Sequence, residues 1–151
     1  MLEENQKLIF TWDEFWQYCQ KVTEKIIQEN QEYSQIISIL RGGFYLGDYL
    51  SRRLNIPLSA IVAKSYSEQN QQGNLLLGQL SCIEPPTNRV LLVDDLLDTG
   101  VTMIAVKKAL ENQWQVKVDT AVIWQKSHSQ CQADYFCEIT PASVWIVQPF
   151  D

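Results

Sequence analysis

Aliphatic residues run without polar interruption at Val90-Leu91-Leu92-Val93, the pattern of a strand covered on both faces, as central parallel strands are. Similar runs occupy Gln35-Ile36-Ile37-Ser38-Ile39-Leu40, Leu58 to Ala63 and the Val-, Thr- and Ile-rich stretch from Val116 to Trp124. Between them the apolar period lengthens. Thr11-Trp12-Asp13-Glu14 has the form of a capping box, and Phe15, Cys19, Val22, Ile26 and Ile27 follow at three- and four-residue steps, which predicts a helix over about 12–29 with that stripe facing a core. Trp12 and Trp16 extend the stripe or serve a subunit contact, and the core is the expectation. A second helix is expected from Phe44 to Leu54, closed by Asn55-Ile56-Pro57 because proline disfavours helical geometry at the residue before it. A third runs from Thr99 or Gly100 to Asn112, with Val101, Ile104, Ala105, Ala109 and Leu110 on its buried side. Strands alternating with helices in this way imply an α/β fold of parallel βαβ units with right-handed crossovers.

Two stretches break the pattern. Lys64 to Leu80 is polar and aperiodic until Leu75-Leu76-Leu77, and reads as a mobile loop returning as an edge strand; loops of this length often close over active sites. Gln130 to Asp151 is loop-like with short apolar pieces, notably Val144-Trp145-Ile146-Val147.

Composition narrows the function. With 151 residues, 46% hydrophobic content and five Trp, six Tyr and five Phe, one compact domain with an ample core is expected. A net charge of −6 argues against a nucleic-acid partner, which would need clustered Lys and Arg. The four cysteines, at 19, 82, 131 and 137, form no CxxC pair and no metal-ligand spacing with the lone His128, so free thiols in a reducing, cytoplasmic setting are expected. Met-Leu-Glu-Glu-Asn-Gln-Lys lacks an apolar core behind a basic start, and no apolar run reaches the ~18 residues of a membrane span; a soluble, unexported protein is expected. His128 receives no role.

The densest chemistry follows the aliphatic strand. Asp94 and Asp95 stand at its carboxyl end, where ligands bind in open α/β sheets, and Asp98-Thr99-Gly100-Val101-Thr102 opens a helix whose N-terminal N–H groups suit an anion. Arg41-Gly42-Gly43 repeats the arrangement after an earlier strand, with a guanidinium added, and suits a phosphate or pyrophosphate; a plain tight turn is the alternative. The chain has neither GxxxxGK[ST] nor GxGxxG, so neither a P-loop nor a dinucleotide site explains the acids. A ligand with a diol or metal at Asp94 and Asp95, and a phosphate at Thr99 to Thr102, fits; ribose 5-phosphate carries both groups.

Val90 to Thr102 resembles the phosphoribosyl pyrophosphate motif of type I phosphoribosyltransferases. Leu40-Arg41-Gly42-Gly43 is similar to that family's pyrophosphate loop, and Ser65-Tyr66 to the start of its flexible catalytic loop. Lys126 after a strand, and Trp145-Ile146-Val147-Gln148-Pro149-Phe150-Asp151, resemble the purine-binding lysine and aromatic segment of the bacterial xanthine-guanine, or 6-oxopurine, branch. The resemblance implies a three-layer, doubly wound, mainly parallel α/β sheet over residues 1–151. A small hood from about 125–151 and the N-terminal segment, and a flexible loop over about 65–80, would complete it.

It also implies an activity: Mg²⁺-dependent transfer of phosphoribosyl from phosphoribosyl pyrophosphate to guanine, xanthine or hypoxanthine, for purine salvage. Asp94 and Asp95, as ionised acceptors, would take the ribose hydroxyls directly or through Mg²⁺ and water. Asp98, Thr99, Gly100, Val101 and Thr102 would cradle the 5′-phosphate, and Arg41, Gly42 and Gly43 the pyrophosphate. Asp98 would also accept the purine N7 proton. Lys126 would bond the 6-oxo group, Trp145 would stack on the base, and backbone groups of Ile146 would read its 2-position. A homodimer or larger assembly is implied. Unlike the family loop, Glu68 to Gln79 contains no Lys or Arg. The competing readings are a non-catalytic protein of the same fold that senses phosphoribosyl pyrophosphate or a nucleotide, and transfer to another base.

Overall fold

The structure, a computed structural model, describes residues 6–66 and 74–151. A short strand β1 (Lys7–Ile9) leads into helix α1 (Trp12–Glu29). The expected capping box closes it: Thr11 Oγ1 accepts from Glu14 N at 3.2 Å, and the Glu14 carboxylate accepts from Thr11 N at 3.2 Å. Phe15, Cys19, Val22, Thr23 and Ile26 form its buried face. Ile27, expected there, is about half exposed, because one further step of about 100° carries it beyond the edge of the arc that Ile26 centres. Trp12 and Trp16 are not core residues either. Both stay more than a third exposed, stacked on each other at 5.7 Å and against Tyr45 and Tyr49 of the next helix.

The chain continues as β2 (Gln35–Leu40), α2 (Phe44–Leu54), β3 (Leu58–Tyr66), β4 (Asn74–Leu77), β5 (Arg89–Val93), β6 (Leu96–Leu97), α3 (Val101–Trp114), β7 (Lys117–Ala121), β8 (Trp124–Lys126), β9 (Glu138–Thr140) and β10 (Trp145–Val147). The main sheet has the order β4-β3-β2-β5-β7. It is parallel throughout except for the edge strand β4, which pairs antiparallel with β3. Residues 67–73, the middle of the expected loop, lie outside the described residues, as do the side chains of Ser65 and Tyr66. The backbone of those two residues continues β3, opposite Leu75 and Asn74.

Alternation along the central strands sorts the core into two layers. Ile36, Leu91 and Val93 face α1 and α2 with Phe15, Val22, Leu46 and Leu50. Ile37, Ile39, Val90 and Leu92 face α3 with Met103, Val106 and Leu110. This is the three-layer, doubly wound α/β arrangement. The buried face of α3 differs from the expected one: Val101 and Ile104 are exposed. The first turns of α3 carry apolar residues on every side, so periodicity does not choose a face; Met103 and Val106 take the sheet because they lie within about 60° of the buried Leu110 around the helix, and Val101 and Ile104 do not.

The expected strand from Val116 to Trp124 is two. The chain leaves the main sheet after Ala121, and Trp124 resumes in a second sheet, β6-β8-β9. β5 makes the same exit at Asp94, resuming as β6. The backbone carbonyl of Asp95 holds the crossing, accepting from Ile123 N at 3.0 Å and Trp124 N at 3.3 Å. A third pairing joins the ends of the fold: β1 runs parallel to β10, with Lys7, Leu8 and Ile9 opposite Trp145, Ile146 and Val147.

β2 leads to β3 on one side, while β5 lies on its other side, so the sheet reverses its winding between β2 and β5. Ligands bind at such switch points, beyond the carboxyl ends of the strands. The turns after these two strands pack directly on each other. Gly43 has ordinary helical dihedrals, so no unusual φ demands glycine there. A Cβ at Gly43 would strike the Val93 carbonyl oxygen, with the Ile39 oxygen at 2.8 Å and Asp94 Cα at 3.1 Å, all of them backbone. Gly43→Ala is expected to destabilise the fold by about 1–3 kcal/mol, measured by urea unfolding; a variant as stable as the parent would show that the turns separate freely.

Candidate active site

Gly42 and Asp95 bring the two turns into contact. A Cβ on Gly42 would lie 2.6–2.8 Å from the Asp95 carboxylate atoms, so glycine here lets the arginine-glycine turn close over the acid. Arg41, exposed beside it, follows a cis Leu40–Arg41 peptide bond. The first of the two acids is held by its neighbour: Asp94 Oδ1 accepts from Asp95 N at 2.9 Å, and Asp94 N donates to Ala121 O at 3.1 Å.

Burial raises the pKa of Asp94 well above the ordinary carboxylate range, and the adjacent charge of Asp95 adds to the rise. Burial raises Asp95 too, opposed by its hydrogen bonds to Asp94 and to Gln148. Expected as two ionised acceptors, the pair in the ligand-free protein is instead pushed toward keeping a proton. A cation or hydroxyl donors arriving at the site would reverse that push.

The phosphate-type loop follows. Gly100, at φ +86°, caps α3 with no side-chain hydrogen bond. The N–H groups of the first turn therefore lack helical partners, and Thr99 Oγ1 reaches only Val101 N, at 3.3 Å. Val101 is exposed, while Thr102 is partly buried. The turn after β8 straps this loop from behind: Gln130 N donates to Thr99 O at 2.8 Å. A Cβ at Gly100 would lie 2.8 Å from Ser129 Oγ and 3.0 Å from Cys131 Sγ, so both its φ and this approach call for glycine.

Asp98 projects from the loop with its side chain 68% exposed, and His128 Nε2 lies 3.2 Å from its Oδ1. The sequence gives no sign of this pairing, since thirty positions separate the two and no motif spans them. The strand register would have located it. β6 pairs parallel with β8, Leu97 opposite Gln125, which brings Lys126 level with Asp98 and the following turn within reach of it.

Lys126 is not a surface lysine. It is 5% exposed, and its Nζ donates to Val144 O and, at 3.3 Å, to Pro141 O. Trp145, by contrast, is 64% exposed. Trp145 N donates to Gln6 O at 2.8 Å, and Val147 O accepts from Phe10 N at 3.0 Å. Since alternate residues of a strand bond a given neighbour, the N–H and C=O of the intervening Ile146 point away from β1. Gln148, quoted above only as part of a motif, reaches from the end of β10 to the acids: its Nε2 donates to Asp95 Oδ2 at 2.6 Å. The structure thus brings together the Arg41 turn, the acids, the Thr99 loop and the segment after β10.

The model for the phosphoribosyl transferase domain matches residues 5–151. The chain is similar to a purine phosphoribosyltransferase from Pyrococcus horikoshii Ot3, with 26% identity, a TM-score of 0.80, and 97% of this chain and 95% of that one covered. It is similar in fold to the Helicobacter pylori xanthine-guanine-hypoxanthine phosphoribosyltransferase, with 23% identity, a TM-score of 0.85, and 96% and 94% covered. It is also similar to a hypothetical protein from Neisseria gonorrhoeae with bound ppGpp, with 25% identity, a TM-score of 0.80, and 99% and 91% covered.

The raised Asp94 has a stability consequence. A carboxyl whose folded pKa exceeds its unfolded value stabilises the fold below the unfolded value, and that contribution is lost as pH rises through the folded value. Asp94→Asn removes the titration and keeps the acceptor for Asp95 N. In chelator-treated, ligand-free protein at pH 7 it is expected to raise Tm by about 2–4 °C, a gain that vanishes on going to acid pH. A variant melting below the parent at neutral pH would show that Asp94 is not held at a cost.

Proposed function

This chain belongs to the phosphoribosyl transferase domain family, and on that premise we propose that it transfers phosphoribosyl from phosphoribosyl pyrophosphate to guanine, xanthine or hypoxanthine, in purine salvage. The observation that carries this reading is the contact of Gly42 with Asp95. It makes one continuous surface of an anion turn with a guanidinium, a pair of acids and a second anion loop, which is the sequence of groups along phosphoribosyl pyrophosphate. We read residues 1–151 as one cytoplasmic domain, with a hood from about 125–151 and the N-terminal segment, and a homodimer or larger as the working unit.

In this mechanism Arg41 and the backbone of Gly42 and Gly43 hold pyrophosphate and stabilise the charge it gains as the C1–O bond breaks. Asp94 and Asp95 accept the ribose hydroxyls, and the N–H groups of the first turn of α3, with the Thr99 and Thr102 hydroxyls, bind the 5′-phosphate. The two acids also fit Mg²⁺, which is usually held by one or two carboxylates together with substrate oxygens and water. When bound, it would neutralise pyrophosphate charge. Asp98, exposed beside the loop, accepts the N7 proton as N9 bonds to C1.

Base choice follows from the second sheet and β10. An ammonium has three donors; Lys126 spends two on Val144 O and Pro141 O, leaving one for a 6-oxo group and none that could satisfy an amino group. The open face of Trp145 receives the base, and the outward N–H and C=O of Ile146 meet its 2-position. A second reading, nucleotide sensing without transfer, draws support from the similarity to the ppGpp-bound protein and from the lack of Lys or Arg between Glu68 and Gln79.

Incubation with Mg²⁺, phosphoribosyl pyrophosphate and each base in turn is expected to yield the nucleoside monophosphate and pyrophosphate with oxopurines and not with adenine or uracil. Retained phosphoribosyl pyrophosphate binding with no product from any base would favour the sensor. Asp98→Asn should lower kcat by about 100-fold or more with little change in phosphoribosyl pyrophosphate affinity; loss of affinity alone would remove Asp98 from proton transfer.

A further inference from the structure

Gln148 is the one described side chain that spans from the end of β10 to the acids. Its backbone belongs to the C-terminal segment, where its N–H donates to Asp151 Oδ2 at 2.8 Å. Its side chain is 6% exposed and passes inward to give the 2.6 Å bond to Asp95 Oδ2. The far atom of the same amide, Oε1, is buried without a hydrogen-bond partner. Such an orphan is unfavourable, so the amide is not there to satisfy itself. It is oriented by the carboxylate, which accepts only a donor.

Asp95 has little freedom to meet that donor elsewhere. Gly42 closes on its carboxylate from one side, and its backbone is fixed by Asp94, Ile123 and Trp124. Gln148 takes Oδ2, and the Asp94 side chain and the Leu96 N–H also bond this carboxylate, so its orientation is fixed before a ligand arrives.

We propose that Gln148 is a positioning residue for Asp95, holding its carboxylate toward the ribose and tying the strand that carries Trp145 and Ile146 to the ribose floor. This rests on the reading of Asp94 and Asp95 as the ribose site. A hood that lifts away would withdraw the donor, so the ribose site is complete only with the base-facing strand in place.

Methionine and glutamate both keep the volume of glutamine and remove or invert its donor, so they test the bond with the packing retained. Binding of phosphoribosyl pyrophosphate with Mg²⁺, measured by calorimetry, is expected to weaken about 10- to 100-fold in Gln148→Met, and further in Gln148→Glu, whose carboxylate repels Asp95. In an Asp95→Asn background the Gln148→Met effect should shrink to under about 2-fold, since residues acting through one bond are not additive. Three results would overturn the proposal: affinity within 2-fold of the parent in Gln148→Met, glutamate tolerated better than methionine, or a full effect of Gln148→Met in the Asp95→Asn background. Parent protein that binds phosphoribosyl pyrophosphate without turnover would sink the transferase reading and leave this one standing. Failure of the parent to bind it would overturn both.

Discussion

The close approach of two strand-to-helix turns is the constraint on which the rest of the site depends. Parallel strands β2 and β5 lie side by side, and the chain leaves them in opposite directions, so their turns would ordinarily diverge around a crevice. Here glycines at 42 and 43 let the turns touch, backbone against the Val93 carbonyl and Cα against the Asp95 carboxylate. A side chain at either position would wedge the crevice open and part the arginine from the acids. The glycines act through what they leave out; neither is needed for its dihedrals.

That closeness has an electrostatic counterpart. Two adjacent acids under a lid of backbone are poorly solvated, and burial pushes both toward their neutral forms. A pocket that resists its own ionisation is prepared for cations and hydroxyl donors, since their arrival restores the solvation that folding removed. The surrounding hydrogen bonds, from Asp95 N to Asp94 and from Gln148 to Asp95, limit the penalty without removing it. Binding strength and ligand-free stability are therefore opposed at this point of the fold.

Much of this was legible in the sequence, for identifiable reasons. The α/β alternation, the first two helices and the capping box at Thr11 rest on local rules, and local rules held. The anion loops were visible because glycine, hydroxyl and acid residues stand together along the chain. What escaped was set by contacts between distant segments. The division of Val116–Trp124 at Ala121 is invisible because both halves are apolar, and the break is made by the Asp95 carbonyl. The face of α3 was misread because Val101 and Ile104 are as apolar as Met103 and Val106. Trp12 and Trp16 look like core residues, yet beyond the buried Phe15 their partners are each other and the half-buried rings of Tyr45, Tyr49 and Phe150. His128 beside Asp98 and Gln148 on Asp95 depend on the register of short strands, which no motif encodes.

The pairing of β1 with β10 bears on the order in which the fold can be completed. Lys7 meets Trp145 and Ile9 meets Val147, so this small sheet unites segments far apart along the chain, and contacts this distant in sequence form late because a long loop must close before they are rewarded. All five strands of the main sheet are present by β7, whereas the Thr99 loop and Asp95 take further bonds from beyond it, from Gln130 N, from Ile123 and Trp124 N, and from the Gln148 side chain. A chain caught part-way through folding would hold the main sheet with both acids at its edge while still lacking the bonds that fix them. The surroundings of the acids thus mature after the sheet that bears them, and a ligand that grips the Arg41 turn and the acids would steady the protein before the chain closes on itself.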